Sequence, residues 1–241
     1  MRKEERTRLL YAKGWHVWLT MMFIVLPFLF LFVFAGIGHI SASALLTDLG
    51  YSAYRMLIAY VIAAILAWVM AVSFYSGKRA NVALPLFDVL QSFPTFAALP
   101  AAVAIWGASN TTVIIFLVVT IIWPIFFSLI SALKAMRGDW KDAVKIYHLR
   151  GWQYVRRFLM PATLPALIIG SIVGIGEGWE ALIATEIISG TKTGLGQFFQ
   201  LYSHNPTVTA FGIFGFLIFI FSLNKLVWLA LLEWSIQKTG E

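Results

Sequence analysis

The chain has 241 residues, of which 60% are hydrophobic and only 12% are charged, and its formal net charge is +7. Soluble domains usually contain about 25% charged residues, and a chain this apolar could not cover its surface with polar groups. These numbers exclude soluble globular, disordered and collagen-like proteins and indicate an integral membrane protein. Cysteine is absent and the four histidines are scattered, so we predict no metal site.

Six stretches are long and apolar enough to cross the hydrocarbon core, which requires about 20 residues per helix. We therefore predict an all-α integral membrane protein that forms a single transmembrane domain over residues 1–241. The predicted spans are residues 15–38, 53–75, 84–106, 111–133, 162–188 and 208–234. A basic stretch precedes the first span, but the apolar run is too long for a signal peptide, so we interpret it as a retained span.

Lysine and arginine residues alternate between the two sides of the predicted spans. Five precede the first span, the five loops contain none, two, none, seven and one, and the C-terminal tail contains one. Cytoplasmic loops of membrane proteins have an excess of these residues. The alternation predicts that both termini are cytoplasmic, and it accounts for the positive charge without a nucleic-acid partner.

The third predicted span contains three prolines, Pro85, Pro94 and Pro100. Proline bends or breaks a helix, and backbone groups freed at membrane depth are tolerated only inside protein or beside a water-filled cavity. We expect a kinked or broken helix that either lines such a cavity or is satisfied by neighbouring helices. Gln91 and Ser92 are candidates for a pathway. Asp88 either joins them or begins a helix near its dipole.

The fifth predicted span places small residues on one narrow face, at about 100° per residue. That face contains Ala166, Gly170, Gly174, Glu177, Ala181 and Ala184. Small residues allow helix backbones to approach closely, so we predict that Glu177 points into the bundle, as a pathway residue or as a structural acid. The opposite face, which includes Ile168, Ile175 and Trp179, suits lipid or a bulky neighbour.

Four further charged residues lie in or near the predicted spans. Glu180 follows Glu177 by one turn and is expected to face the same cavity, whereas Glu186 is interpreted as a solvated acid near the external end. Arg55 is interpreted as an anchor whose head group reaches the membrane surface. Lys225 is a candidate partner for Glu177 or Glu180.

A cytoplasmic loop of about residues 134–161 joins the fourth and fifth spans. Apolar residues recur at near-helical spacing on both sides of Gly151 and predict two short amphipathic helices, the second ending at Pro161. From the residues alone, these helices either lie on the cytoplasmic face or form an interfacial anchor against anionic lipid.

The segment DAVKIYHLRGWQYVRRFLMPATLP resembles the coupling-loop signature of binding-protein-dependent ABC importer permeases, which is EAA, three residues, Gly, nine residues, then I-x-L-P. Aligned on Pro161, residues Asp142, Ala143 and Val144 match EAA. His148 stands at the family's glycine, where the chain turns between two coupling helices. Histidine tolerates a positive φ better than most residues, and Gly151 is a second candidate for the bend.

Two other segments extend the resemblance over most of the chain. LQSFPTFAALPAAVAIWG is similar to the family's third span, and WEALIATEIISGTKTGLGQFFQ is similar to the last loop of permeases in the nitrate, sulfonate and taurine branch. The resemblance implies a multi-pass subunit of a prokaryotic inner membrane. It also implies alternating-access import of a small solute, expected to be an oxyanion or a sulfonate-like compound.

The resemblance further implies two ATP-binding subunits docked on the loop around residues 142–157, a second copy of the permease and an extracytoplasmic solute-binding protein. The chain has no GxxxxGK[ST] loop. We therefore expect no cofactor and no enzyme activity in this chain, with ATP and Mg bound by the partner ATPase. The alternatives are a proton-coupled secondary transporter with Glu177 and Glu180 as its relay, and a membrane-embedded enzyme, for which the sequence offers no catalytic cluster.

Overall fold

The computed structural model describes the backbone of residues 3–136 and 138–239, and their side chains except at 3–17, 19, 20, 139, 141, 143, 238 and 239. This part of the chain is all-helical. The helices are α1 Lys3–Gly38, α2 Ala42–Phe74, α3 Gly77–Gln91, α4 Thr95–Trp106, α5 Asn110–Ala135, α6 Gly138–Ile146, α7 Gly151–Tyr154, α8 Met160–Ser189, α9 Leu195–Leu201, α10 Pro206–Leu223 and α11 Leu229–Thr239. Two π-helical turns, Val155–Leu159 and Asn224–Trp228, join α7 to α8 and α10 to α11.

Five helices in the described part of the chain are long and apolar enough to cross a membrane, and the bent pair of α3 and α4 is a sixth candidate when the two helices are counted as one span. The five are α1, α2, α5, the continuous helix Gly151–Ser189 and the continuous helix Pro206–Gln237. The predicted all-α membrane fold with about six spans is therefore confirmed.

The third span is broken, as its prolines predict. Helices α3 and α4 meet at an angle of 80°, and Pro94 stands immediately before α4. The residue before a proline disfavours the α-helical conformation, so the break falls at Phe93 and Pro94. Pro85 and Pro100 are accommodated inside α3 and α4.

Residues 134–161, which are named the coupling segment after the sequence resemblance, differ from the prediction in their second half. Helix α6 is separate, but α7 continues through the π-helical turn into α8, so Pro161 does not end a helix. A proline inside a helix lacks a donor and its ring clashes with a carbonyl one turn back. Pro161 lies two residues after Leu159, the last residue of the π-helical turn. The hydrogen-bonding pattern is already widened there, and the helix therefore passes through the proline.

Helix α2 begins at Ala42, well before the predicted start at residue 53. The Ser41 hydroxyl accepts a hydrogen bond from the backbone N–H of Ala44 and caps the helix. With 33 residues, α2 is about 50 Å long, whereas the hydrocarbon core is about 30 Å thick. The extra turns contain Asp48 and Ser52, which lower the local hydropathy and hide the helix start from a hydropathy search.

The core of the bundle is formed by α5, which packs against α2 on one side and α8 on the other. Glycines of α8 permit the second contact. A Cβ built on Gly170 would lie 2.7 Å from the Ile125 Cα, and one built on Gly174 would lie 3.0 Å from the Ile121 carbonyl oxygen. The backbones of α5 and α8 therefore touch without intervening side chains.

We predict that Gly170→Ala lowers the free energy of unfolding by about 1–3 kcal/mol, because the new methyl group must push the α5 backbone away. Gly176→Ala is the matched control, since nothing lies within 4 Å of a Cβ built there. That control is expected to be neutral or to gain up to about 1 kcal/mol from helix propensity. Thermal unfolding of both variants in detergent micelles makes the comparison, and equal stability would contradict the packing described here.

Candidate functional site

A cavity of about 720 Å³ lies beside the break between α3 and α4. Residues 91–97 form one wall, and the middle of α5 and of α8 form the others. Its polar side chains are Gln91, Ser92, Thr95, Thr120 and Glu177. Its aromatic side chains are Phe93, Phe96, Trp123 and Phe127. The volume is within the range of small-molecule sites, about 300–1,000 Å³.

Three of the four predicted pathway residues meet in this cavity. Gln91 and Ser92 approach it from the break, and Glu177 approaches it from α8. Glu180 is also exposed on α8 but does not line the cavity. The structure thus brings together residues that are more than 80 positions apart, at one place along the span.

Asp88 supports the wall of the cavity instead of beginning a helix. It lies in the last turn of α3, and its carboxylate accepts a hydrogen bond of 2.7 Å from Gln91 Nε2. The interpretation of Asp88 as a helix-start carboxylate is therefore wrong, because the break places it at the opposite end of its helix. Its bond to Gln91 fixes the position of that amide beside the cavity.

Glu177 does not point into the bundle as predicted. Its side chain is exposed in the single chain, whereas Gly170, Gly174 and Gly178 are buried against α5. Packed helices interdigitate along rows of residues spaced by four, which are inclined to the helix axis. The contact with α5 follows this inclined row to Gly178, and Glu177 is left beside it on an open face.

The face of α8 that has bulky side chains packs against other helices of the protein. Of the two alternatives, lipid and a bulky neighbour, the structure therefore supports the neighbour. Ile168, Ile175 and Trp179 are buried. The Trp179 ring lies edge-on to Phe216 and Phe219 of α10, with centroids 5.5 and 5.8 Å away. Helix α8 therefore has two packed faces and one open face, and the open face includes Ile169, Val173, Gly176, Glu177 and Glu180.

A buried ion pair between Arg55 of α2 and Glu186 of α8 lies far along the span from the cavity. Arg55 Nη1 and Glu186 Oε1 are 2.5 Å apart, and the two residues are only 2% and 1% exposed. The interpretations of Arg55 as a surface anchor and of Glu186 as a solvated acid are both wrong. Two charges that reach this depth are tolerated because each is paired and hydrogen-bonded.

Three further hydrogen bonds of the Arg55 guanidinium group are directed at α5 and at the loop after α8. Nε donates to Asn110 Oδ1 at 2.9 Å, Nη1 to the Thr193 carbonyl at 2.8 Å, and Nη2 to Thr193 Oγ1 at 2.9 Å. Arginine presents its donors as a rigid planar fork. One side chain of α2 therefore fixes the start of α5, the end of α8 and the following loop.

The carboxylate of Glu186 orders the segment that leads into α9. It accepts hydrogen bonds from Ser52 Oγ at 2.9 Å and from the Gly196 backbone N–H at 2.8 Å. The Leu195 N–H donates to Ser52 Oγ at 2.9 Å. A Cβ on Gly194 would lie 2.6 Å from the carboxylate and 2.7 Å from Arg55 Nη1. A Cβ on Gly196 would also collide with Glu186, so both positions require glycine.

The site and the fold agree with a comparison against protein families. The model of the family described as "Binding-protein-dependent transport system inner membrane component" matches residues 59–230, which is well over half of the chain. The chain belongs to this family. The matched range contains the cavity, the coupling segment and Glu186.

Curated relatives of this permease component are found in several bacteria. They include the nitrate import permease protein NrtB of Synechocystis sp., 29% identical over 184 residues (72% of this chain, 66% of the relative). The bicarbonate transport system permease protein CmpB of Synechococcus elongatus is 26% identical over 148 residues (61% and 53%). The taurine transport system permease protein TauC of Escherichia coli is 28% identical over 112 residues (46% and 40%). The chain thus covers less than two thirds of the length of each relative.

The permease component is a multi-pass protein of the inner membrane, and its coupling segment is exposed. Asp142 forms an ion pair of 2.9 Å with Lys145 of the same helix, and both side chains are largely exposed. Val144 is half-buried, and the side chain of Ala143 is outside the described residues.

The turn between α6 and α7 contains two residues with positive φ. His148 has a φ of 49° and Gly151 a φ of 54°. Both residues thus share the turn between α6 and α7, as expected from the resemblance.

Lys225 does not pair with either of its candidate partners. It is exposed in the π-helical turn between α10 and α11. Among the ion pairs of the described residues, none joins Lys225 to Glu177 or Glu180. Among the described residues, therefore, no ion pair gives the carboxylate of Glu177 a compensating cation.

We predict that Glu186→Ala destabilises the permease component by about 3–5 kcal/mol, because it leaves the Arg55 charge buried and unpaired. Glu180→Ala, on the same helix but exposed, is the matched control and is expected to change stability by less than about 0.5 kcal/mol. The double variant Arg55→Met, Glu186→Met is expected to lose less than the sum of the two single changes, since neither charge is then stranded. Thermal unfolding in micelles measures all of these. A Glu186→Ala protein as stable as the Glu180→Ala protein would contradict the role of the pair.

Proposed function

We propose that this permease component is the transmembrane subunit of an ATP-driven importer and that solute crosses the membrane between two copies of it. The supporting observation is the cavity at the α3–α4 break, which opens beside the unpacked face of α8. A carboxylate at the bilayer centre is costly unless it faces a cavity or a partner. A second copy, related by two-fold symmetry, would present the same face and close the cavity into a pathway.

The proposed transport is inward and is driven by ATP hydrolysis in partner subunits. The lysine and arginine distribution favours a cytoplasmic position for both termini and for the segment α6–α7. We assign the docking of two ATP-binding subunits to this segment, with Asp142, Val144, His148 and Gly151 near the contact and Pro161 at its end. ATP and Mg are bound by those subunits. An extracytoplasmic solute-binding protein would deliver the solute to the opposite side, near the loop held by Arg55 and Glu186.

The names of the relatives support a proposal for the class of solute. Those names specify nitrate, bicarbonate and taurine. We infer that the cargo of this chain is also a small oxyanion or a sulfonate-like compound. Alternating access would expose Gln91, Ser92 and Glu177 first to one side of the membrane and then to the other.

The experiment that tests this function is the charge reversal Asp142→Arg. Its ion pair with Lys145 is exposed and contributes only about 0–1 kcal/mol, so the variant is expected to fold and insert. Like-charge contact at an interface costs several kcal/mol, so binding of the ATPase should weaken at least about tenfold. Glu233→Arg, an exposed reversal on α11, is the matched control and should bind the ATPase normally.

Co-purification with the ATPase and ATP-dependent uptake into proteoliposomes are the two measurements. Normal binding and normal uptake by the Asp142→Arg protein would place the docking surface elsewhere. Uptake by the wild-type chain that needs a proton gradient and no ATPase would instead support the secondary transporter.

A further inference from the structure

The charge of the cavity does not match a simple anion. Among its fourteen lining residues, Glu177 is the sole charged side chain, and none is lysine, arginine or histidine. Nitrate or bicarbonate would enter a space whose one fixed charge repels it. In the proposed two-copy assembly the negative charge doubles, because symmetry brings a second Glu177 to the same pathway.

The aromatic residues of the cavity point to the same preference. Phe93, Phe96, Trp123 and Phe127 contribute to its walls. The faces of aromatic rings carry partial negative charge and attract ammonium groups. A carboxylate together with several rings is a chemical environment for a cation, whereas oxyanion sites use arginine, lysine or clustered backbone N–H groups.

The neutral polar residues of the cavity can bind a second functional group of the solute. Ser92, Thr95 and Thr120 supply hydroxyl groups on the walls, and Gln91 supplies an amide whose Nε2 is held by Asp88. Hydroxyl and amide groups donate hydrogen bonds to oxygen atoms without adding charge. The cavity can therefore accept a solute that has an oxyanion at one end, provided that an ammonium group at the other end balances Glu177.

We propose that this permease component selects solutes that carry an ammonium group, and that Glu177 is the residue that recognises it. Within the class of oxyanion and sulfonate-like compounds, the pathway then favours amine-bearing zwitterions over bare anions. This inference rests on the proposed function, because it assigns the cavity to the solute pathway. It adds a specificity residue that neither the fold nor the relatives identify.

The test is a binding measurement on the full chain in lipid nanodiscs, by isothermal titration with three probes. Taurine and isethionate are both two-carbon sulfonates and differ in having an ammonium group or a hydroxyl group at the other end, and nitrate is the bare anion. We expect taurine to bind at least about tenfold more tightly than isethionate, as the loss of one charge-assisted hydrogen bond implies. Nitrate should show no saturable binding.

Glu177→Gln keeps the shape of the side chain and removes its charge, so it should bring taurine and isethionate to within about threefold of each other. Glu233→Gln removes an exposed carboxylate outside the cavity and should leave the wild-type ratio unchanged. Isethionate or nitrate binding as tightly as taurine, no taurine binding at millimolar concentration, or an unchanged ratio in Glu177→Gln would each overturn the proposal. The comparison of probes on the wild-type chain decides the matter even if a variant folds poorly.

The same measurement separates this inference from the proposed function. Binding is recorded without ATP and without the ATPase, so a chain that fails to recruit an ATPase can still show the ammonium preference. Conversely, a complex that couples ATP hydrolysis to uptake but takes isethionate as readily as taurine would retain the proposed function and remove Glu177 as its specificity residue.

Discussion

The close contact between α5 and α8 determines which surfaces of the molecule remain available. Gly170 and Gly174 let the two backbones touch, and the inclined row of contacts turns α8 so that Glu177 lies outside the packed faces. Any residue larger than glycine at these positions would separate the helices. The cavity walls come from the same two helices, and its shape therefore depends on this contact.

Helix α8 connects three parts of the molecule that are far apart. Together with α7 and the π-helical turn it runs without interruption over 39 residues, a length of about 58 Å. The coupling segment lies at one end, Glu177 near the middle, and Glu186 at the other end, where Arg55 holds it to α2. In the proposed importer, this continuous helix, fixed at one end by a buried ion pair, would carry a displacement of the coupling segment to the cavity as a tilt or a rotation.

The sequence was sufficient for the features that depend on local patterns. Hydropathy predicted the spans, Pro94 predicted the break, and the turn at His148 followed from the resemblance. Features that depend on tertiary contacts were missed. Arg55 and Glu186 are 131 positions apart, and nothing local shows that they pair. The predicted orientation of Glu177 was wrong for a related reason. A helical projection of the sequence does not include the angle at which α8 crosses α5, and that angle determines which residues are packed.

The central claim is that the space beside the α3–α4 break is a water-filled pathway within the membrane. The chain contains no cysteine, so a single introduced cysteine can report whether water reaches its position. A thiol reacts readily only after it ionises, and it ionises only in contact with water. Thr120→Cys lies in the cavity, whereas Val69→Cys lies on an exposed apolar face of α2 outside it. In membrane fragments open on both sides, a charged methanethiosulfonate reagent should modify the cysteine at 120 and leave the one at 69 unmodified. Equal resistance of both positions to the reagent would contradict the claim.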